Sequence, residues 1–152
     1  MITVKRYHDI SCGHRVVGHE GKCRHLHGHN YRIHFTCAAS LSSMSPLDSL
    51  GRVIDFGVIK DRLCEWLEDN WDHRMLIWAE DPLLDSLRDI DPTVVVVPFN
   101  PTAENMANYL LHQICPSVLP NNVWCVEVQI DETRKCSASA SLILTGFENP
   151  TL

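Results

Sequence analysis

Apolar and polar residues alternate near both ends of the chain and follow a helical period in its middle. From Ile2 to His14 the apolar positions are even: Ile2, Val4, Ile10 and Cys12. A second alternation uses odd positions, through Tyr31, Ile33, Phe35 and Cys37. Period two puts alternate side chains on one face, so each run predicts a half-buried strand. Phe56, Ile59, Leu63, Trp66 and Leu67 then recur at helical spacing behind Asp55, a suitable N-cap. The same spacing relates Ala103, Met106, Leu110 and Ile114, with Thr102 as cap, Glu104 in the first turn and Pro116 as the stop. Two further strands are predicted over 123–132 and 139–147. The order β-β-α-α-β-β predicts an α+β fold, a four-stranded antiparallel sheet with both helices on one face. The connection from His73 to Pro101 contains the run Val94 to Val97, which fits a short strand or a buried extended segment equally well.

Composition narrows the class. A chain of 152 residues without repeats or a linker reads as one domain, 1–152. A net charge of −6 and a pI near 5.8 argue against nucleic acid or an anionic membrane as the main partner. The first residues, MITVKRYHDIS, lack the apolar core of a signal peptide. Seven scattered cysteines suit reduced thiols in a cytoplasm better than a disulfide framework.

The chemistry is concentrated early. Seven of nine histidines lie in the first 34 residues, around Cys23-Arg24-His25-Leu26-His27-Gly28-His29. On an extended chain His27 and His29 point the same way and can share one ion, and His14 can add a third nitrogen from the neighbouring strand. Three imidazoles on apolar faces are costly to bury without partners, and a metal satisfies all three. Core histidines bonded to backbone groups are the plainer reading, favoured for an isolated His-x-His but weakened here by a third histidine on matching parity. Cys23 could complete a structural zinc site. No second Cys-x-x-Cys pair supports that, and three protein ligands with an open position are the catalytic pattern. Cys23 therefore reads as a nearby acid/base, with Lys22 and Arg24 supplying positive charge beside it. Asp72-His73 is a carboxylate–imidazole pair, a common surface dipeptide that can also tune proton transfer. Glu132 continues a strand face shared with Trp124, Val126, Val128 and Ile130, where it either emerges into solvent or meets a bidentate donor such as an amino-pyrimidine edge.

Taken in order, His14, Cys23-x-x-x-His27-Gly28-His29, Val53-Ile54-Asp55-Phe56, Asp72-His73, Pro101-Thr102-x-Glu104 and Glu132-Thr133 resemble the motifs of the 6-pyruvoyl- and 6-carboxy-tetrahydropterin synthase family over nearly the whole chain. The three-residue gap between Cys23 and His27 resembles the carboxy branch, which serves queuosine and 7-deazapurine biosynthesis. The resemblance implies the tunnelling fold, three sheets joined in a barrel, two barrels stacked as a hexamer, and active sites between subunits. It implies zinc on His14, His27 and His29, catalytic Cys23, Asp72 and His73, a pterin anchored by Glu132, and Thr102 in the pterin pocket. The implied substrate is 7,8-dihydroneopterin triphosphate, converted to 6-carboxy-5,6,7,8-tetrahydropterin with loss of acetaldehyde and triphosphate. By position, Lys22, Arg24 and His25 are set to meet the triphosphate. The chain departs from the family in Ile10-Ser11-Cys12-Gly13 before His14, in the long connection after His73, and in Asp131 before Glu132. Two alternatives stay open: triphosphate elimination giving the 6-pyruvoyl product, and a non-catalytic zinc-stabilised binding module.

Overall fold

The computed structural model describes residues 1–39 and 47–142. Thr3–His14 (β1) and His27–Ala39 (β2) form a long antiparallel pair in which His14 lies opposite His27 and Cys12 opposite His29. The predicted parity holds within the strands, although Ile2 precedes β1 and is 55% exposed. Ile10, Cys12 and His14 of β1 and Tyr31, Ile33, Phe35 and Cys37 of β2 are buried, whereas Tyr7, Asp9, Asn30 and Arg32 are exposed on the opposite face.

The sheet is larger than the sequence pattern predicts. Met75–Trp78 (β3) runs parallel to the end of β1, with Gly13 opposite Met75 and His14 opposite Leu76. A helix, Leu84–Ile90 (α2), then leads to Val95–Val97 (β4), parallel to β3. Val123–Asp131 (β5) pairs antiparallel with β2, and Ser137–Ser141 (β6) with β5. The described residues thus form a six-stranded mixed sheet in the order β4-β3-β1-β2-β5-β6, which corrects the four-stranded antiparallel arrangement and its β-β-α-α-β-β order. The reason is length. β3 has four residues and β4 three, too short for an alternation to show, and both are joined through the connection after His73.

Asp55 opens the first long helix (α1), its carboxylate accepting from Gly57 N–H at 2.7 Å. This helix runs through Phe56–Ile59, a π-type stretch Lys60–Cys64 and Glu65–Asn70, and buries Ile59, Leu63 and Leu67. The other long helix (α3) comprises Ala103–Tyr109, Leu110–Ile114 and Cys115–Val118, capped by Thr102 Oγ1 accepting from Asn105 N–H at 3.2 Å. Pro116 does not stop it. Proline sits where the π-type stretch Leu110–Ile114 gives way to the closing Cys115–Val118 segment. Both helices pack on the face that carries Ile10, Tyr31, Ile33, Phe35, Val128 and Ile130.

One irregularity bears on the site. Between Thr36 and Cys37 the β2–β5 register shifts, so Thr36 faces Glu127 while Cys37 faces Cys125. Val126 is the extra residue of a bulge, and the parity of β5 reverses across it. Val123 and Cys125 are buried and Trp124 is 43% exposed, which corrects the single face predicted for Trp124, Val126, Val128 and Ile130. Beyond the bulge Val128 and Ile130 point inward, and Glu132 continues their side. The last strand begins at Ser137, and the predicted 143–147 part lies outside the described residues. Among the described residues no helix is long and apolar enough to cross a membrane.

Candidate metal centre and active site

The antiparallel register puts three imidazoles at one end of the sheet, beneath the start of α3. His14 Nε2 and His27 Nε2 stand 3.1 Å apart, and the three ring centroids lie 4.5–5.3 Å from one another. Glu132, one step past β5, brings Oε1 to 3.1 Å from His29 Nε2 and 3.4 Å from His14 Nε2. Ligand atoms of His14, His27, His29 and Glu132 all fall within 4.8 Å of one another.

The donor set fits a cation. His14 Nδ1 donates to the Pro101 carbonyl at 2.6 Å, and His27 Nδ1 donates to the His25 carbonyl at 2.7 Å. With the proton on Nδ1, each Nε2 presents a lone pair, and two lone pairs facing each other at 3.1 Å repel unless something positive lies between them. His29 Nε2 is buried and, among the described residues, makes no aligned hydrogen bond, its near neighbour being Glu132 Oε1 at 3.1 Å. Burial holds the His14 imidazole below its ordinary proton affinity, helped by His27 and His29 and opposed by the Pro101 carbonyl and Glu132. Burial lowers His29 in the same way, with Glu132 opposing and His27 assisting. Neutral imidazoles oriented by backbone carbonyls are the form that binds metal.

Tyr31 is the site residue that the sequence pattern did not single out. Its hydroxyl lies 3.1 Å from His14 Nε2, on the side of the cluster where the Glu132 carboxylate influences it. Burial raises the phenol well above its usual range, and the charges of Cys12, Glu132 and Cys23 add to that shift. Tyr31 shares the odd parity of His27 and His29, so its position was legible while its role was not.

Cys23 sits half-buried in a short 3-10 turn, Lys22–Arg24, that is tied back by Val16 N–H donating to the Cys23 carbonyl at 2.8 Å. Asn100 fastens the same loop, exchanging two hydrogen bonds of 2.9 Å with the Val17 backbone. Thr102 is half-buried beside Pro101, its hydroxyl engaged in the helix cap. Arg24 is exposed, and its guanidinium donates to the Glu20 and Gly21 carbonyls at 3.0 and 3.2 Å. Lys22 and His25 are exposed.

Asp72 and His73 form a pair of their own. Asp72 Oδ2 accepts from His73 Nδ1 at 2.6 Å and Oδ1 accepts from Ser11 N–H at 2.8 Å. They line a cleft of about 590 Å³ together with Asp9, Asn30 and Arg32, which face away from the helices. The three histidines occupy the buried face. His73 and His29 also both border a second, shallower cleft of about 500 Å³ at the end of β1.

A cluster of three imidazoles and a carboxylate at the end of a helix-covered α+β sheet forms a group that could hold a metal ion. Over residues 3–142 the chain matches the family 6-pyruvoyl tetrahydropterin synthase, and it belongs to that family. It is 34% identical over 139 residues to 6-carboxy-5,6,7,8-tetrahydropterin synthase of Rickettsia typhi, covering 90% of this chain and 97% of the relative. To the probable 6-carboxy-5,6,7,8-tetrahydropterin synthase of Halobacterium salinarum it is 37% identical over 131 residues, covering 85% and 79%. Its fold is similar to that of an uncharacterized protein from Wolinella succinogenes, with a TM-score of 0.78 and 23% identity over 92% of this chain and 97% of the other. The 6-pyruvoyl tetrahydropterin synthase of Caenorhabditis elegans superposes with a TM-score of 0.64 at 25% identity, over 93% and 96%.

Proposed function

We propose that the protein, as a single domain over 1–152, converts 7,8-dihydroneopterin triphosphate to 6-carboxy-5,6,7,8-tetrahydropterin, releasing acetaldehyde and triphosphate. The observation that carries this reading is the convergence of three imidazoles on one point, in a chain 34% identical to relatives named for that product. The resident metal is zinc on His14, His27 and His29. Bound there, zinc supplies Lewis-acid polarisation of the substrate's side-chain hydroxyls.

The remaining chemistry belongs to side chains. Cys23 and the Asp72–His73 pair move protons at the pterin side chain. Glu132 anchors the pterin ring with Tyr31 near it, and Thr102 borders the ring pocket. Lys22 and Arg24 face the triphosphate, and the loop bonds of Arg24 leave Lys22 the freer of the two. By the family resemblance, active sites are built between subunits of a hexamer, one chain's pair serving another chain's metal. The setting is the cytoplasm, and the product feeds queuosine or another 7-deazapurine.

Incubation of the zinc-loaded protein with 7,8-dihydroneopterin triphosphate, followed by mass analysis, tests the reaction. A carboxylated tetrahydropterin with equimolar acetaldehyde is expected. A 6-pyruvoyl product without acetaldehyde would overturn it in favour of triphosphate elimination alone.

A further inference from the structure

Ser11 on β1 and Asn30 on β2 stand opposite each other, and three bonds meet at Ser11. Its N–H donates to Asp72 Oδ1 at 2.8 Å, its carbonyl accepts from His73 N–H at 2.7 Å, and its hydroxyl donates to Asn30 Oδ1 at 2.7 Å. With the amide oxygen taken by Ser11, Asn30 Nδ2 is left as a donor in the cleft of about 500 Å³ that His73 also borders. The next cross-strand pair on that face is Gly13 opposite Gly28, so neither strand puts a side chain into this part of the cleft. Arg74 follows His73 and borders the same cleft. Its backbone is anchored, the N–H donating to the Trp71 carbonyl at 3.1 Å and the carbonyl accepting from Gly13 N–H at 2.9 Å. The residue is half-buried, and among the described residues its guanidinium forms no hydrogen bond or ion pair. Asp91 shares the cleft, where its Oδ1 accepts from the Thr93 N–H and hydroxyl at 2.9 and 2.7 Å.

We propose that Arg74 and Asn30 form a binding subsite for the phosphate chain of the substrate, Arg74 as a charged fork and Asn30 as an oriented neutral donor. The inference rests on the reading of 7,8-dihydroneopterin triphosphate as substrate and of His73 as a group that reaches its side chain, and it adds where the phosphates go. The phosphate chain hangs on the last carbon of that side chain, next to the hydroxyl-bearing carbons where protons move. An imidazole that reaches those carbons has the first phosphate close by, and Arg74 is the next residue along the chain from it. Guanidinium N–H groups match phosphate oxygens in pairs. A protein of net charge −6 needs such a local cation to hold a polyanion. Because Arg74 adjoins His73, the subsite stays with the Asp72–His73 pair whichever subunit supplies the metal. Asp91 is the opposing charge in the cleft. Its two Thr93 bonds and, after them, the charge of Arg74 hold its carboxyl below the ordinary range, so it partly offsets Arg74.

The test pairs steady-state kinetics of the zinc-loaded protein with competition by inorganic tripolyphosphate, for Arg74→Ala, Arg74→Lys, Asn30→Ala and Asp91→Asn, with Lys22→Ala for comparison. Arg74→Ala should raise KM for dihydroneopterin triphosphate and Ki for tripolyphosphate by about 30-fold, with kcat within about threefold of the parent. Ki for unphosphorylated dihydroneopterin, which has no group for Arg74, should stay within about twofold. Arg74→Lys keeps the charge without the fork and should raise the tripolyphosphate Ki by about fivefold, as should Asn30→Ala through loss of one donor. Asp91→Asn should lower that Ki by about twofold. A tripolyphosphate Ki in Arg74→Ala within about twofold of the parent would overturn the inference, and a large rise in Lys22→Ala instead would place the phosphates at the loop before β2. Equal rises for tripolyphosphate and dihydroneopterin in Arg74→Ala, with a lower melting temperature, would make Arg74 structural and overturn it too. Absence of turnover in the parent would remove the functional reading alone. The subsite would then stand or fall on calorimetry of tripolyphosphate binding, standing if Arg74→Ala weakens it about 30-fold and falling if it does not.

Discussion

Glu132 stands where a fourth ligand and a pterin anchor make different demands, and Glu132→Gln separates them. The substitution keeps the side chain's shape and one acceptor oxygen while removing its charge. As an anchor, the carboxylate offers charge-assisted acceptors to the ring's N–H groups, each worth about 1.5–3 kcal/mol where a neutral pair gives about 1. The side chain is 26% exposed, so screening favours the low end of that range. A loss of about 2 kcal/mol corresponds to about 30-fold in kcat/KM. The metal should respond differently. Glu132 raises the proton affinity of His14 and of His29, so removing its charge lowers both and leaves each Nε2 freer of protons. Three imidazoles are a sufficient protein ligand set for catalytic zinc. Chelator titration should give a zinc affinity within about threefold of the parent, alongside the roughly 30-fold loss in kcat/KM. Zinc affinity falling by more than about tenfold would make Glu132 a ligand of a closed, structural centre and refute the reasoning.

Cys23→Ala should retain zinc content and melting temperature while kcat falls by about 100-fold or more. Loss of zinc together with the fold, read by elemental analysis and circular dichroism, would make the thiol a structural ligand. Tyr31→Phe removes a buried hydroxyl 3.1 Å from His14 Nε2 and near Glu132, and should cost about 1 kcal/mol. For a chain of this size that is a melting point lower by roughly 2–4 °C, and no shift would mean the hydroxyl is idle. The metal-free protein should lose stability in acid. Native His14 and His29 bind protons more weakly than unfolded imidazoles, whose ordinary value is about 6.5, so the unfolded state takes up more protons as pH falls. Stability from this source is complete above about pH 6.5 and declines below it. Urea midpoints of chelator-treated protein at descending pH would contradict this if they stayed level or rose.

The histidine cluster was legible because strand parity carries it. Even positions through His14 and odd positions through His27 and His29 fix a shared face before any register is known, and the register then sets His14 opposite His27. The two long helices were legible through Ile59, Leu63 and Leu67 and through Met106 and Leu110, although Phe56, in the same stripe, is 52% exposed at the helix start. What failed was short or nonlocal. The segments Met75–Trp78 and Val95–Val97 gain strand identity only from the neighbour they pair with. The bulge at Val126 has no local mark, and it reverses the side on which Trp124 lies. The carbonyls of Pro101 and His25, which orient two of the imidazoles, are backbone groups that no side-chain pattern can announce. The two loop carbonyls to which the Arg24 guanidinium donates are likewise backbone groups.

The central claim is that three imidazoles bind the metal and Cys23 does not. X-ray absorption at the zinc edge of the purified, zinc-loaded protein measures this directly. The predicted spectrum fits about three histidine nitrogens near 2.0–2.1 Å with remaining light-atom scattering and no sulfur. A sulfur shell near about 2.3 Å would place Cys23 on the metal and contradict the account.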